Sequence, residues 1–95
     1  MISVQVLIID AIITGSRSLK EKRAVLNSIK GAISSKFNVS ISELGYANKW
    51  QRTLLGFAVI SSDGKLNSKI LEKISDIIHN DGRLEVVNSS IEELG

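Results

Sequence analysis

Residues 2–13 form an almost unbroken run of Val, Ile, Leu and Ala, into which Ser3, Gln5 and Asp10 are set. Such a run predicts a β-strand that lies centrally in its sheet or is covered on both faces. Gly15 ends it. Ser18 followed three residues later by Glu21 has the form of a capping box. From Leu19 the apolar residues Val25, Leu26, Ile29, Ala32 and Ile33 recur at helical spacing, predicting a helix to about Lys36. Phe37, Val39 and Ile41 then alternate with Asn38, Ser40 and Ser42, the pattern of a half-buried strand. A connection from Gly45 to about Gln51 precedes a second strongly apolar strand, Thr53–Ser61. Asp63-Gly64 marks a turn. Leu66, Ile70, Leu71, Ile74, Ile77 and Ile78 make the stripe of a second helix, closing near Asn80-Asp81-Gly82. Leu84–Asn88 reads as a last strand, and Ser90–Gly95 is weakly specified.

The predicted order is β-α-β-β-α-β within one domain spanning 1–95. Right-handed crossovers place the first and third strands at the centre of a four-stranded antiparallel sheet, with both helices on one face. This is an α+β, ferredoxin-like sandwich, and the two central strands are also the most apolar. One sheet face then lacks helices. On the first strand Leu7, Ile9, Ala11 and Ile13 share one side, and Val6, Ile8, Asp10 and Ile12 share the other; the pattern leaves open which is covered. Either way large aliphatic side chains stay wet, forgoing several kcal/mol at about 25 cal/mol per Å². A patch of that kind marks a partner surface. The expectation is self-association through Val6, Ile8 and Ile12; the competing one is that the C-terminal tail covers part of the face.

Composition changes this picture little. The 95 residues include 43% hydrophobic and 23% charged residues, enough for one core and ordinary for a globular protein. There is no cysteine, which excludes disulfides and thiolate metal sites. No basic region precedes the first apolar run, and no segment reaches the ~18 apolar residues of a membrane span. The expectation is a soluble, cytoplasmic protein with no membrane partner. Charge is more informative. Residues 1–52 carry eight Lys/Arg against three acids, +5, whereas residues 53–95 carry four against seven, −3. A basic first half suggests one attracting face.

The cations concentrate in Gly-Ser-Arg-Ser-Leu-Lys-Glu-Lys-Arg at 15–23, where a helix start offers unpaired N–H groups to an anion. At 100° per residue Lys20, Arg23, Asn27 and Lys30 fall within one quadrant, with Arg17 preceding the helix. A solvated helix flank has the same pattern. The segment has one Gly and no Gly-Lys-Ser/Thr ending, so it is not a P-loop. A second cluster, Tyr46-Ala-Asn-Lys-Trp-Gln-Arg at 46–52, sets the only Trp and the only Tyr beside Lys49 and Arg52. Rings among cations suit base stacking with phosphate contact. The plainer alternative has Trp50 plugging the sheet end or a dimer interface, with Arg52 on a neighbouring carboxylate. Leu55-Gly56-Phe57-Ala58-Val59 overlaps one strand of the RNA-recognition-motif pattern but lacks its stacking platform. His79 sits near a helix C-terminus as a cap, Asp10 and Glu43 depend on an uncertain register, and no Ser has a nucleophile-elbow context. The residues point to no enzyme, no metal site and no cofactor.

Taken together, Arg-Ser-Leu-Lys-Glu-Lys-Arg (17–23), Phe-Asn-Val-Ser (37–40), Trp-Gln-Arg (50–52) and Leu-Gly-Phe-Ala-Val (55–59) resemble the YlxP-like family of small bacterial proteins of unknown function. The resemblance implies a ferredoxin-like sandwich and a genomic setting among translation-initiation and ribosome-maturation genes. It implies no catalytic residues. Members often carry polar residues at alternate positions of the first strand, where Ile8 and Ile12 stand here, favouring apolar contact. Two functions are expected. The first is an RNA- or ribosome-associated accessory factor binding through Arg17, Lys20, Arg23, Lys30, Lys49, Trp50 and Arg52. The alternative is a homodimeric interaction module with no nucleic-acid role.

Overall fold

The computed structural model describes residues 1–95. In chain order the elements are β1 (Ser3–Ile13), α1 (Leu19–Ser34), β2 (Ser40–Gly45), β3 (Arg52–Ser61), α2 (Gly64–His79) and β4 (Leu84–Glu93). The sheet order is β2-β3-β1-β4, with every neighbouring pair antiparallel. This is the ferredoxin-like α+β arrangement. Each helix carries the chain past one intervening strand, which leaves the two most apolar strands in the middle.

Strand periodicity divides β1 cleanly. Its odd positions are buried from Ser3 to Ile13, while the even positions from Val4 to Ile12 are only half-buried. Leu7, Ile9, Ala11 and Ile13 join Leu55, Phe57 and Val59 of β3 in one core cluster. Leu26, Ile29 and Ile33 of α1 belong to it, and so do Leu71, Ile74 and Ile78 of α2, which puts both helices on the odd face. Register enforces the layer, since Leu7 lies opposite Phe57 and Ile9 opposite Leu55. Each such side chain contributes roughly 1.5–3 kcal/mol on burial.

One end of this layer is polar. Asn67 is fully buried; its Nδ2 donates to the Ser3 carbonyl at 3.1 Å and its Oδ1 accepts from Ser61 Oγ at 2.7 Å. Gln5 Nε2 donates to the Gly64 carbonyl, and Ser68 Oγ donates to Gln5 Oε1. Every buried side-chain polar atom of the molecule has a partner, as burial without one would cost 1–3 kcal/mol or so.

Two boundaries differ from the sequence expectation. Strand β2 begins at Ser40 rather than Phe37, because Lys36 and Phe37 both donate their N–H to the Ile33 carbonyl. Phe37 and Val39 still pack on the core, so the alternation identified the inward residues but not the start of pairing. Strand β4 runs to Glu93 rather than Asn88. Beyond it Leu94 N donates to Val4 O at 2.8 Å and Val4 N donates to Gly95 O at 3.1 Å, continuing the ladder. The outer edge of the long β1 needs partners for its backbone groups, and the tail supplies them. It lies along the sheet edge, ending beside Val4 of the face without helices. No helix is long and apolar enough to cross a membrane.

Candidate nucleic-acid interface

The site lies where the end of β1, the start of α1 and the β2–β3 loop meet. Gly15, at φ 76°, turns the chain out of the sheet. Ser18 caps α1, its Oγ accepting from Glu21 N at 3.0 Å. The Glu21 carboxylate reaches back to accept from Arg17 N at 2.9 Å and from Ser18 Oγ at 3.4 Å. The capping side chain thus takes one first-turn N–H, and the Glu21 carboxylate closes the box on the segment before the helix. Arg17, Lys20 and Arg23 project into solvent around it.

Lys22 does not. It is 1% exposed, and its Nζ donates to Tyr46 O at 2.7 Å and Lys49 O at 2.8 Å, and lies 2.9 Å from Glu43 Oε2. Glu43 Oε2 also accepts from the buried Thr53 Oγ1 at 2.6 Å. The ammonium thus donates to two loop carbonyls and is paired with one carboxylate. Reading 17–23 as one cationic cluster missed this, yet a signal was present. Leu19, Lys22, Leu26, Ile29 and Ile33 are spaced 3, 4, 3 and 4 apart, so Lys22 occupies a core position of the stripe. Glu43 likewise follows Val39 and Ile41 on the inward face of β2, with opposite charge.

Two tethers bring the loop to the helix start: the Lys22 bonds and Gln51 Nε2, which donates to Ser16 O at 3.0 Å. Arg17, Lys20, Arg23, Lys49 and Trp50 therefore share one end of the sandwich. None of these four cations makes an ion pair. Lys30 lies about two turns further along α1, half-buried. Trp50 is 52% exposed and, with Ile12, Asn48, Lys49, Gln51 and Arg52, lines an open cleft of about 510 Å³.

Arg52 points to the sheet face without helices, away from Lys22. Its Nε and Nη2 donate to Asp10 Oδ1 and Oδ2 at 2.7 and 2.9 Å, and its guanidinium stacks 5.0 Å from the Tyr46 ring centroid. Hydrogen bonding to Arg52 holds the Asp10 carboxyl below its ordinary value of 3.8, against the opposing effect of burial. A depressed carboxylate stabilises the fold in full above roughly pH 4 and loses that contribution as the pH falls through the folded value. Asp10→Asn is therefore expected to lower Tm at neutral pH and to flatten its acid decline below pH 4 or so. Some decline persists, because Arg83 lowers the Asp81 carboxyl in the same way. A decline as steep as wild type in a pH series of thermal melts would refute the assignment.

Asp10 faces away from the helices while Glu43 faces them, so they form no carboxylate pair. His79 Nδ1 lies 2.8 Å from Ser75 O at the exposed end of α2. Val6, Ile8 and Ile12 sit half-buried on the open face beside Leu54, flanked by Leu44 (54% exposed) and Ile60 (70%).

Residues 4–91 match the family model described as a protein of unknown function, DUF503. The chain is also 49% identical over 65 residues, covering 68% of this chain and 71% of the relative, to a Bacillus subtilis (strain 168) protein described as uncharacterized protein YlxP.

Proposed function

The chain belongs to the DUF503 family, and from that premise we propose that it is a non-enzymatic accessory factor that binds RNA, in the ribosome or its precursors. The binding surface is the end of the sandwich where α1 begins. One observation carries this reading: a half-exposed Trp50 stands at the mouth of a cleft beside Lys49, and the exposed Arg17, Lys20 and Arg23, which make no ion pair, lie at the same end of the sandwich. An unpaired base can stack on the indole while the cations meet the phosphates on either side of it. Arg52 serves differently, since Asp10 already neutralises it; it shapes the cleft wall. The ribosome is the setting implied by the resemblance of residues 17–23 and 50–52. Filter binding to ribosomal subunits, or to a structured RNA with single-stranded loops, is expected to weaken steeply as salt rises. Affinity that is absent, or insensitive to salt, would refute it.

The bare sheet face favours a second role, pairing with another copy of this chain. No helix covers Val4, Val6, Ile8, Ile12 and Leu54, which are half-buried, or the exposed Leu44, and Ser40, Ser42, Asn88 and Ser90 border them. The Asp10–Arg52 pair is internally neutral. Such a surface can meet its own copy about a two-fold axis without opposing like charges at its centre. Light scattering at tens of micromolar is expected to give a dimer for wild type and a monomer for Ile8→Lys. A wild-type monomer at that concentration removes this role and leaves the RNA reading intact.

A further inference from the structure

The β2–β3 loop is held between two ion pairs, Lys22–Glu43 on the helix side and Arg52–Asp10 on the open side. We infer that Lys22 is a positioning residue that sets the Tyr46–Trp50 loop in the shape that presents Trp50 and Lys49 to RNA, without touching RNA itself. The inference rests on the RNA-binding reading above.

Three observations support it. Residues 46–51 are all exposed, so packing does little to fix them. Tyr46 adopts φ 61°, the left-handed region that a bulky residue occupies only when its surroundings impose it. The Arg52 guanidinium stacks on the Tyr46 ring, but the backbone of the turn is held by one side chain: Tyr46 O accepts from Lys22 Nζ at 2.7 Å and from Lys49 N at 2.9 Å, and Lys49 O accepts from Lys22 Nζ at 2.8 Å. A single buried ammonium therefore grips both ends of the turn that precedes Trp50. Lysine suits the position because its ammonium is a compact donor that serves two converging carbonyls while pairing with the Glu43 carboxylate. Arginine would bring a planar fork of different reach. At 1% exposure Lys22 cannot reach a phosphate.

Trp50 is the only tryptophan, so its fluorescence reports the loop directly. In Lys22→Met, acrylamide quenching of Trp50 is expected to rise. RNA affinity is expected to fall about tenfold, comparable to one lost base stack, with an unchanged slope of log affinity against log salt. Lys22→Arg keeps the charge opposite Glu43, so it tests the loop even if the methionine variant does not fold; it should change quenching and affinity in the same direction. Glu43→Gln keeps both loop carbonyl bonds, and should lower Tm while leaving quenching as in wild type. Unchanged quenching in both Lys22 variants overturns the inference. So does a salt slope reduced by about one, which would make Lys22 a phosphate ligand. An equal loop change in Glu43→Gln also overturns it, by assigning the effect to the ion pair alone. If wild type binds no RNA, the RNA reading falls, and the quenching comparison still decides whether Lys22 sets the loop.

Discussion

Replacing Arg17, Arg23 and Lys49 together by alanine is expected to lower RNA affinity about a hundredfold at about 0.1 M salt, each phosphate contact on a single strand contributing roughly 0.7 to the log–log salt slope. Removing three contacts should reduce the slope by about two, and at 0.1 M or so that slope difference is a factor of about 10². The prediction depends on place as much as on charge. Lys65, Lys69 and Lys73 lie exposed on α2, away from the loop. Their triple alanine variant makes the same change in net charge and should leave the slope unaltered. Equal losses in the two triples would show general attraction to a polyanion rather than a site at the start of α1. Filter binding at several salt concentrations separates these outcomes.

Phe57→Ala is expected to reduce stability by roughly 3–5 kcal/mol, since the ring is fully buried between the sheet and both helices and leaves a cavity. A domain of this size loses about 4–8 °C in Tm per kcal/mol, so the drop should be about 12 °C or more. Ile60, three residues on and pointing to the other face, is 70% exposed. Its change to alanine should stay within about 0.5 kcal/mol. Comparable losses in thermal melts of the two variants would contradict the assignment of odd positions to the core.

Much of the fold was legible from hydrophobic spacing. The 3–4 pattern from Leu19 to Ile33 and from Leu66 to Ile78 located both helices. The apolar runs of β1 and β3 identified the central strands. The extension of β4 was not legible, because Asn-Ser-Ser-Ile-Glu-Glu has no apolar alternation and pairs only because β1 extends beside it. In the site, topology sets the first helix start beside the β2–β3 loop, where Lys22 and Gln51 tie the two together. The separate fates of the cations do not follow from topology. Arg17, Lys22 and Arg23 look alike in a basic run, yet one is buried under the loop and two face solvent.

Short-range chemistry, acting between residues a few positions apart, determined the elements, their caps and the choice of strands for the middle of the sheet. Those are properties of periodicity, and periodicity is written in the chain. Only the assembled structure decided which side of β1 faces the helices, that Arg52 is matched by Asp10 forty-two positions away, and that Lys22 is enclosed with Glu43 beneath the Tyr46 turn. Each depends on register and on helix rotation between distant segments, so a charge cannot reveal from its neighbours alone whether it will meet solvent, an acid or a ligand.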